Sequence, residues 1–213
     1  MNFNLLISQM LLASLTTLQI FFLTLIFSLP LGLVISFGRM SKYKIISVPT
    51  NIYILIMRGT PLMLQLMFVF YGLKPLFGIQ LPRFSAAIIA FSLNYAAYFA
   101  EIYRGGIQSV PKGQYEACKV LGFTKSQTFF RIILPQVVKN IIPAMGNEFI
   151  TLVKDTSLAQ TIVVIEIMRV TEKFASAYVS AVPFAVAAIF YLIMNGILTK
   201  IFSSIENKLS YYN

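Results

Sequence analysis

The first 38 residues carry no charged side chain, and this apolar stretch constrains the fold more than any other feature of the chain. A bilayer core of about 30 Å is crossed by roughly 20 apolar residues in a helix, whose backbone N–H and C=O groups bond to each other. The rest of the chain suits the same environment, because 58% of all residues are hydrophobic and 11% are charged, against about 25% charged in an average globular domain. We therefore expect an all-α, polytopic helical membrane protein.

The lengths of the apolar runs predict about five transmembrane helices. They are expected at residues 13–37, 61–77, 84–103, 140–153 and 183–202. Pro49, Arg58, Gly59 and Pro61 divide the second apolar region. Residues 45–57 are therefore predicted to form a separate helix that lies at the cytoplasmic membrane interface, with its basic flanks at the lipid headgroups.

The fourth predicted span is short, because Lys154 and Asp155 follow its last apolar residue, Val153. Asp155 and Ser157 are suitable N-caps, and Ser157 has capping-box spacing to Gln160. This pattern predicts a sharp break followed by a new helix over residues 158–174. A broken helix at membrane depth is tolerated only against protein or a water-filled cavity.

Basic residues predict the orientation, since loops rich in Lys and Arg stay in the cytoplasm. Arg39, Lys42 and Lys44 follow the first span, which places the N-terminus outside. Lys200 and Lys208 place the C-terminus in the cytoplasm. All but five of the 17 basic residues fall on predicted cytoplasmic segments, and those five are Lys74, Arg83, Lys154, Arg169 and Lys173.

The one long polar segment, residues 111–135, has local signals for two short helices joined by a turn. Pro111 suits a helix N-terminus, and Gly122 suits the left-handed residue that ends a helix. Thr124 and Gln127 have the spacing of a capping box at the start of the second helix. Pro135 is expected to end or kink that helix.

The composition of this segment predicts a docking element on the cytoplasmic side. Six basic residues between Arg104 and Lys139 accompany one acid, Glu116. The segment also carries large apolar side chains, namely Leu121, Phe123, Phe129, Phe130, Ile132 and Ile133. A cytoplasmic loop with so much apolar surface should pack against its own membrane domain or against a partner.

Several motifs on and around this segment occur together. The segment contains Glu116-Ala117-Cys118, then Gly122, then Ile133-Leu134-Pro135. The other motifs, in chain order, are Arg58-Gly59-Thr60-Pro61, Ala97-Tyr98-Phe99-Ala100-Glu101-Ile102 with Arg104-Gly105-Gly106, Leu134-Pro135-Gln136, and Lys154-Asp155-Thr156-Ser157-Leu158. The first group resembles the EAA loop of ABC importer permeases, with Cys118 where the family pattern has alanine. Together the motifs cover nearly the whole chain and resemble the polar amino acid subfamily.

The resemblance implies one transmembrane domain, residues 1–213, with a cytoplasmic coupling loop at 104–139. It implies the permease subunit of an importer in a bacterial cell membrane, paired with a second permease copy, identical or related. Cytoplasmic ABC ATPase subunits would bind ATP and Mg, and an extracytoplasmic solute-binding protein would deliver an amino acid. The chain has no Walker-type P-loop of its own, so no ATPase site and no cofactor are expected. The expected ATPase-docking residues are Gln114, Glu116, Ala117, Cys118, Gly122, Leu134 and Pro135.

Glu148 is the strongest candidate for a substrate contact, because an ionisable group inside a span is costly. Ala144, Glu148, Thr151 and Asp155 share one helical face, and Asn147 is adjacent. A cavity-facing Glu148 would attract the cationic end of a substrate, which favours a basic amino acid such as arginine, lysine, ornithine or histidine. Glutamine, cystine or another polar amino acid stays open as the alternative substrate. A buried glutamate paired with a neighbouring helix is the structural alternative.

Asn147, Glu148 and Thr151 on the fourth span are the candidates for one wall of the substrate site. Asn94 and Tyr98 on the third span are the candidates for the opposite wall. The amide of Asn94 both donates and accepts hydrogen bonds. An interhelical hydrogen bond is again the alternative. Glu101, three residues before Arg104, is expected to form a structural ion pair with it.

Other function classes are disfavoured by the residues present. The basic residues form no stripe or motif typical of nucleic-acid binding. The chain contains no histidine, so Cys118 has no histidine base, and its seven acids are too dispersed for a metal site. This argues against an intramembrane enzyme. A non-transporting anchor that recruits a cytoplasmic protein is the remaining alternative, and a polar stripe within a span argues against it.

Overall fold

The computed structural model describes residues 2–209, which form helices and no strand. The helices are α1 (Phe3–Arg39), α2 (Lys44–Gly59), α3 (Leu62–Met67), α4 (Leu73–Phe77), α5 (Arg83–Gln108), α6 (Lys112–Val120), α7 (Lys125–Gln127), α8 (Leu134–Asp155), α9 (Ile167–Tyr178) and α10 (Val182–Leu209). Two π turns, Phe68–Gly72 and Thr128–Ile133, join α3 to α4 and α7 to α8, and a 3-10 segment, Thr156–Ile162, follows α8. The all-α prediction is confirmed.

Three of the described helices, α1, α5 and α10, are long and apolar enough to cross a membrane. A fourth span is formed if α2 and residues Leu62–Phe77 count as one, although a bend of 107° separates them. The bend fits the predicted division between an interfacial helix and a span at this point. The fourth predicted span corresponds to α8, which is not among these candidates, so a five-span topology and its orientation stay predictions.

The core of the fold is the pair α1 and α5, the most extensive helix contact in the described chain. Gly32 of α1 lies directly against Ala96, Phe99 and Ala100 of α5. A Cβ atom there would lie 2.9 Å from Phe99 Cβ and 3.0 Å from the Ala96 carbonyl oxygen. Small residues are what allow helix backbones to approach each other within a bilayer.

Gly32→Ala is therefore expected to destabilise the protein by about 1–3 kcal/mol, because the neighbouring backbone carbonyl cannot move aside. Thermal unfolding of the purified protein in detergent measures the change. Gly196→Ala on α10 is the matched control, since no atom lies within 4 Å of its added Cβ. Equal stability of the two variants would contradict the tight α1–α5 contact.

The loop after α5 forms the predicted helix, glycine turn and second helix. Gly122 has φ +76°. The Thr124 side chain accepts from Gln127 N, and Thr124 N donates to Gln127 Oε1, which completes the capping box. The second helix does not end at Pro135. It continues through a π turn into α8, so the fourth predicted span begins well before Asn140.

The π turn explains how the helix passes Pro135. Proline lacks an N–H, and its ring would clash with the carbonyl four residues earlier. The helix therefore widens at Thr128–Ile133, directly before the proline, where Leu134 N bonds to the Phe129 carbonyl five residues back. Such π bulges are a common way for a helix to absorb a local misfit.

The break after α8 is present, but its details differ from the prediction. Ser157 Oγ donates to the Lys154 carbonyl and does not cap a new helix with Gln160. The chain instead forms a 3-10 segment and turns at Val163, which has φ +61°. The next helix, α9, begins at Ile167, and its N-cap is the fully buried Glu166. The predicted start near residue 158 was therefore wrong.

Candidate substrate cavity

A cavity of about 530 Å³ lies where the α2–α3 corner meets α5, α8 and the 3-10 segment. Its wall combines both charges with amides and hydroxyls. The lining residues are Arg58, Gly59, Thr60, Pro61, Leu62, Asn94, Tyr95, Tyr98, Glu148, Thr151, Asp155 and Leu158. The polar groups therefore come from three separate parts of the chain.

The cavity brings together four of the five residues that the sequence suggested for substrate binding. Asn94 and Tyr98 of α5 face Glu148 and Thr151 of α8. Asn147 does not line the cavity and has an exposed side chain. Successive residues of an α-helix are rotated by about 100° around its axis, so the side chains of neighbours such as Asn147 and Glu148 point in different directions.

Asn94 also has the structural role considered as its alternative. Its Nδ2 donates to the Met57 carbonyl at 2.9 Å and to Gln65 Oε1 at 2.9 Å. Gln65 Nε2 in turn donates to the Met57 and Thr60 carbonyls. These bonds satisfy the carbonyls that the bend between α2 and α3 leaves free, so Asn94 fixes the corner that forms one cavity wall.

The acidic side of the cavity contains Glu148 and Asp155, both half-buried. Tyr95 is almost fully buried, and its hydroxyl donates to Asp155 Oδ2 at 2.8 Å. Glu148 interacts electrostatically with Asp155 and, across the cavity, with Arg58. Two carboxylates on one wall with a guanidinium opposite can bind a small molecule that carries both charges.

Glu101 lies just beyond the cavity at the corner of α1, α2 and α5. The predicted ion pair with Arg104 is present, with Arg104 Nη2 2.6 Å from Glu101 Oε2. Arg39 and Arg58 also approach the carboxylate, at 3.5 Å and 3.8 Å. The Glu101 carboxylate therefore lies within 4 Å of three arginines that come from three different helices.

Arg58 and Asp155 were not among the residues predicted to bind substrate. In sequence Arg58 precedes Gly59 and Pro61 and resembles a lipid anchor, and Asp155 resembles a helix cap. The place of Arg58 on the cavity wall follows from the bend after α2, whereas Asp155 shares the α8 face of Glu148 and Thr151. An ionisable residue at a break in a span is the signal that could have found both.

The predicted docking residues are mostly on the surface of the loop. Gln114, Glu116, Ala117, Gly122 and Pro135 are exposed, and Leu134 is half-buried. Cys118 is 4% exposed, so its side chain points into the loop rather than towards a partner. A small residue at position 118 therefore suits packing inside the loop.

Residues 28–211 match a family described as the binding-protein-dependent transport system inner membrane component. The chain belongs to this family. It is thus a multi-pass protein of a bacterial inner membrane, which agrees with its apolar helices.

Individual relatives align over most of their length. An L-cystine transport system permease protein of Bacillus subtilis is 41% identical over 198 residues, covering 92% of this chain and 84% of the relative. An arginine transport system permease protein of the same organism is 40% identical over 194 residues, with 91% and 89% coverage. A putative glutamine transport system permease protein of Rickettsia conorii is 34% identical, with 92% and 90% coverage.

Solved structures agree with this assignment. A crystal structure of an amino acid ABC transporter with histidines has a chain 35% identical to this one, with a TM-score of 0.85 and coverage of 96% and 94%. The methionine ABC transporter MetNI in an inward-facing conformation shares the fold, with 16% identity, a TM-score of 0.76 and coverage of 98% and 99%. The ABC permease fold is therefore shown.

Proposed function

We propose that the chain is the permease subunit of an ATP-driven importer of polar amino acids, with a preference for those that have a cationic side chain. The cavity that contains Glu148, Asp155 and Arg58 carries this proposal. The names of the relatives support the class, because they are transport permeases for cystine, arginine and glutamine. The cavity's charges support the narrower choice.

The charge count favours a basic amino acid. With Glu148 and Asp155 ionised, the two carboxylates exceed the single positive charge of Arg58. An amino acid such as arginine carries one net positive charge and would neutralise the occupied cavity. A neutral substrate such as glutamine or cystine would leave a net negative charge away from bulk water, which costs free energy.

Transport would proceed by alternating access of this cavity. A separate ATPase would dock on the loop at 111–135 and bind ATP and Mg itself. The loop follows α5 and precedes α8 in the chain, and both helices line the cavity. Asn140 Nδ2 also donates to Ser109 Oγ at 2.8 Å, which joins α8 to the residue that follows α5. A movement of the docked loop would therefore reach both walls.

The complete importer would contain further proteins. A second permease copy, identical or related, would complete the translocation path, and an extracytoplasmic binding protein would deliver the substrate. The family description names binding-protein dependence, and this supports that partner. A passive membrane anchor would have no use for a polar cavity between its helices.

Glu148→Gln tests the preference for a cationic side chain. Uptake into proteoliposomes with the complete importer is expected to fall at least about 10-fold for arginine and not to fall for glutamine, because the charges of Asp155 and Arg58 that remain balance each other around a neutral substrate. Glu206→Gln is the matched control, since Glu206 is exposed on α10 outside the cavity. An unchanged ratio of arginine to glutamine uptake would contradict the preference.

A further inference from the structure

Three arginines surround the carboxylate of Glu101 at the corner of α1, α2 and α5. Arg39 lies in the last turn of α1, Arg58 lies in the last turn of α2, and Arg104 belongs to α5. We call these four residues the Glu101 cluster. Three positive charges face one negative charge, which leaves two positive charges in excess. An excess of charge at the edge of a membrane domain is costly unless an anion balances it.

Arg104 occupies both oxygens of Glu101. Its Nε lies 3.0 and 3.1 Å from the two oxygens, and its Nη2 lies 2.6 Å from Oε2. Such a forked contact is among the strongest between a guanidinium and a carboxylate. Arg104 Nη1 also donates to Gln108 Oε1 at 2.6 Å. Arg104 therefore finds its partners within α5, and the excess charge belongs to the other two arginines.

Arg39 and Arg58 are incompletely paired. Their nitrogens come no closer to Glu101 than 3.5 and 3.8 Å, which is longer than a normal hydrogen bond. Arg39 Nε is buried and has no hydrogen-bond partner among the described residues. Both side chains nevertheless reach the surface, with 32% and 44% of their areas exposed. An anion that arrives at this corner is therefore attracted by both arginines.

The surface of α2 that leads to this corner is apolar. Leu55 is exposed and precedes Arg58 by three residues, so the two side chains lie on the same side of the helix. Ile52 and Ile56 are exposed as well. A helix with such a face and basic residues at its ends suits a bilayer interface, where acyl chains cover the apolar side chains and headgroups meet the basic ones. A free phosphate ion would balance the charge but would leave the apolar face uncovered.

We propose that the Glu101 cluster binds the headgroup of an anionic phospholipid, whose phosphate contacts Arg39 and Arg58 while its acyl chains lie along α2. Basic pockets between transmembrane helices are suited to such headgroups. An anionic lipid such as phosphatidylglycerol is preferred to phosphatidylcholine, because the choline group brings a cation of its own to an already positive corner. The site goes beyond the proposed function, since it does not depend on which amino acid is transported.

The test measures which lipids stay bound to the protein. The permease–ATPase complex is reconstituted in nanodiscs of phosphatidylcholine with a minor share of phosphatidylglycerol and then transferred to a mild detergent, and the retained lipids are quantified by mass spectrometry. Phosphatidylglycerol is expected to be enriched over its share in the nanodisc, by about fivefold for each arginine. Arg39→Gln should lower the enrichment about fivefold, and Arg39→Lys should retain part of it because lysine keeps the charge. Arg39 is the residue to replace because Arg58 also lines the cavity.

Lys42→Gln is the matched control, because it removes the same charge from an exposed residue close to Arg39 in the chain but outside the cluster. It should leave the enrichment intact. Equal losses in Lys42→Gln and Arg39→Gln would mean a diffuse attraction to basic residues and would overturn the site. Displacement of the lipid by excess inorganic phosphate would assign the corner to free phosphate instead. An unaltered complex without enrichment would also overturn the proposal, because another protein surface or water then covers this corner.

Discussion

Co-purification of the ATPase subunits with this chain is expected to be lost when Gly122 is replaced by valine. Gly122 has φ +76°, a left-handed conformation that glycine adopts readily and a β-branched residue does not. An ordinary side chain there costs roughly 1–2 kcal/mol, and valine costs more. The cost is avoided if the turn rearranges, and a rearranged turn aims α6 in a different direction.

The hydrogen bonds of the turn show why its geometry matters. Phe123 N donates to the Cys118 carbonyl at 3.0 Å and Gly122 N donates to the Lys119 carbonyl at 3.2 Å, which is the pattern of a Schellman motif. These bonds end α6 and direct the chain into the capping box at Thr124. A partner that recognises α6 and the start of the second helix together requires this angle between them.

The measurement is a pull-down of the tagged chain with ATPase subunits encoded beside its gene. Gly113→Val is the first control, because Gly113 is also exposed, with no positive φ and open space around its Cβ. Gly122→Asn is the second, since asparagine tolerates the left-handed conformation. Both controls should retain capture. If Gly122→Val also captures the ATPase while folded, the loop is not the docking element.

Local rules predicted the docking loop well because its signals lie within a few residues of each other. The capping box of Thr124 and Gln127 needs only a spacing of three, and the left-handed Gly122 needs only a helix that ends. The π turn before Pro135 was not predicted. A proline in a sequence is compatible with the end of a helix, with a kink in it or with a bulge before the proline. The packing of α8 on α5 and α10 favours a helix that continues past Pro135.

The lengths of the apolar runs predicted where the membrane spans lie, but they did not predict where each helix begins and ends. Residues 13–37 were expected to form the first helix, whereas α1 begins at Phe3, where Asn2 caps it. Hydropathy measures what lies in lipid, while a helix continues beyond the membrane for as long as its backbone remains bonded. The boundary between α2 and α3 was predicted because Gly59 and Pro61 break a helix locally.

The cavity could be predicted only in part. Glu148 and Thr151 follow from helical spacing on one segment, and Asn94 follows from its polarity inside a span. Asp155 shares their face of α8, whereas Arg58 joins them only through the 107° bend, which is a tertiary feature. Asn94 also shows the limit of polarity as a signal, because its amide both lines the cavity and bonds the α2–α3 corner.

Glu166→Ala is expected to cause the largest loss of stability among the substitutions considered. The carboxylate of Glu166 is fully buried and accepts from Met168 N at 2.9 Å and Arg169 N at 2.8 Å, which caps α9. It also accepts from the Tyr191 hydroxyl of α10 at 3.1 Å. Alanine would leave three donors without this acceptor and a cavity beside them, which together cost about 3 kcal/mol or more.

This role was not predicted from the sequence, because glutamate is not a preferred N-cap residue. Asp155 and Ser157, which lie nearby in the sequence, are of preferred N-cap types. Burial explains the difference: the longer side chain spans from α9 to α10 and still reaches the free N–H groups. Thermal unfolding of the purified protein measures the loss. Glu172→Ala on the same helix is the matched control, since Glu172 makes only a 3.8 Å, partly exposed pair with Arg169.

Tyr191→Phe separates the two functions of Glu166, because it removes one donor and leaves the cap of α9 intact. It should cost about 1 kcal/mol, well below the loss for Glu166→Ala. Comparable losses for Glu172→Ala and Glu166→Ala would mean that the buried cap adds little. The order Glu166→Ala, then Tyr191→Phe, then Glu172→Ala is therefore required if a buried carboxylate holds α9 against α10 at the break that shapes the cavity.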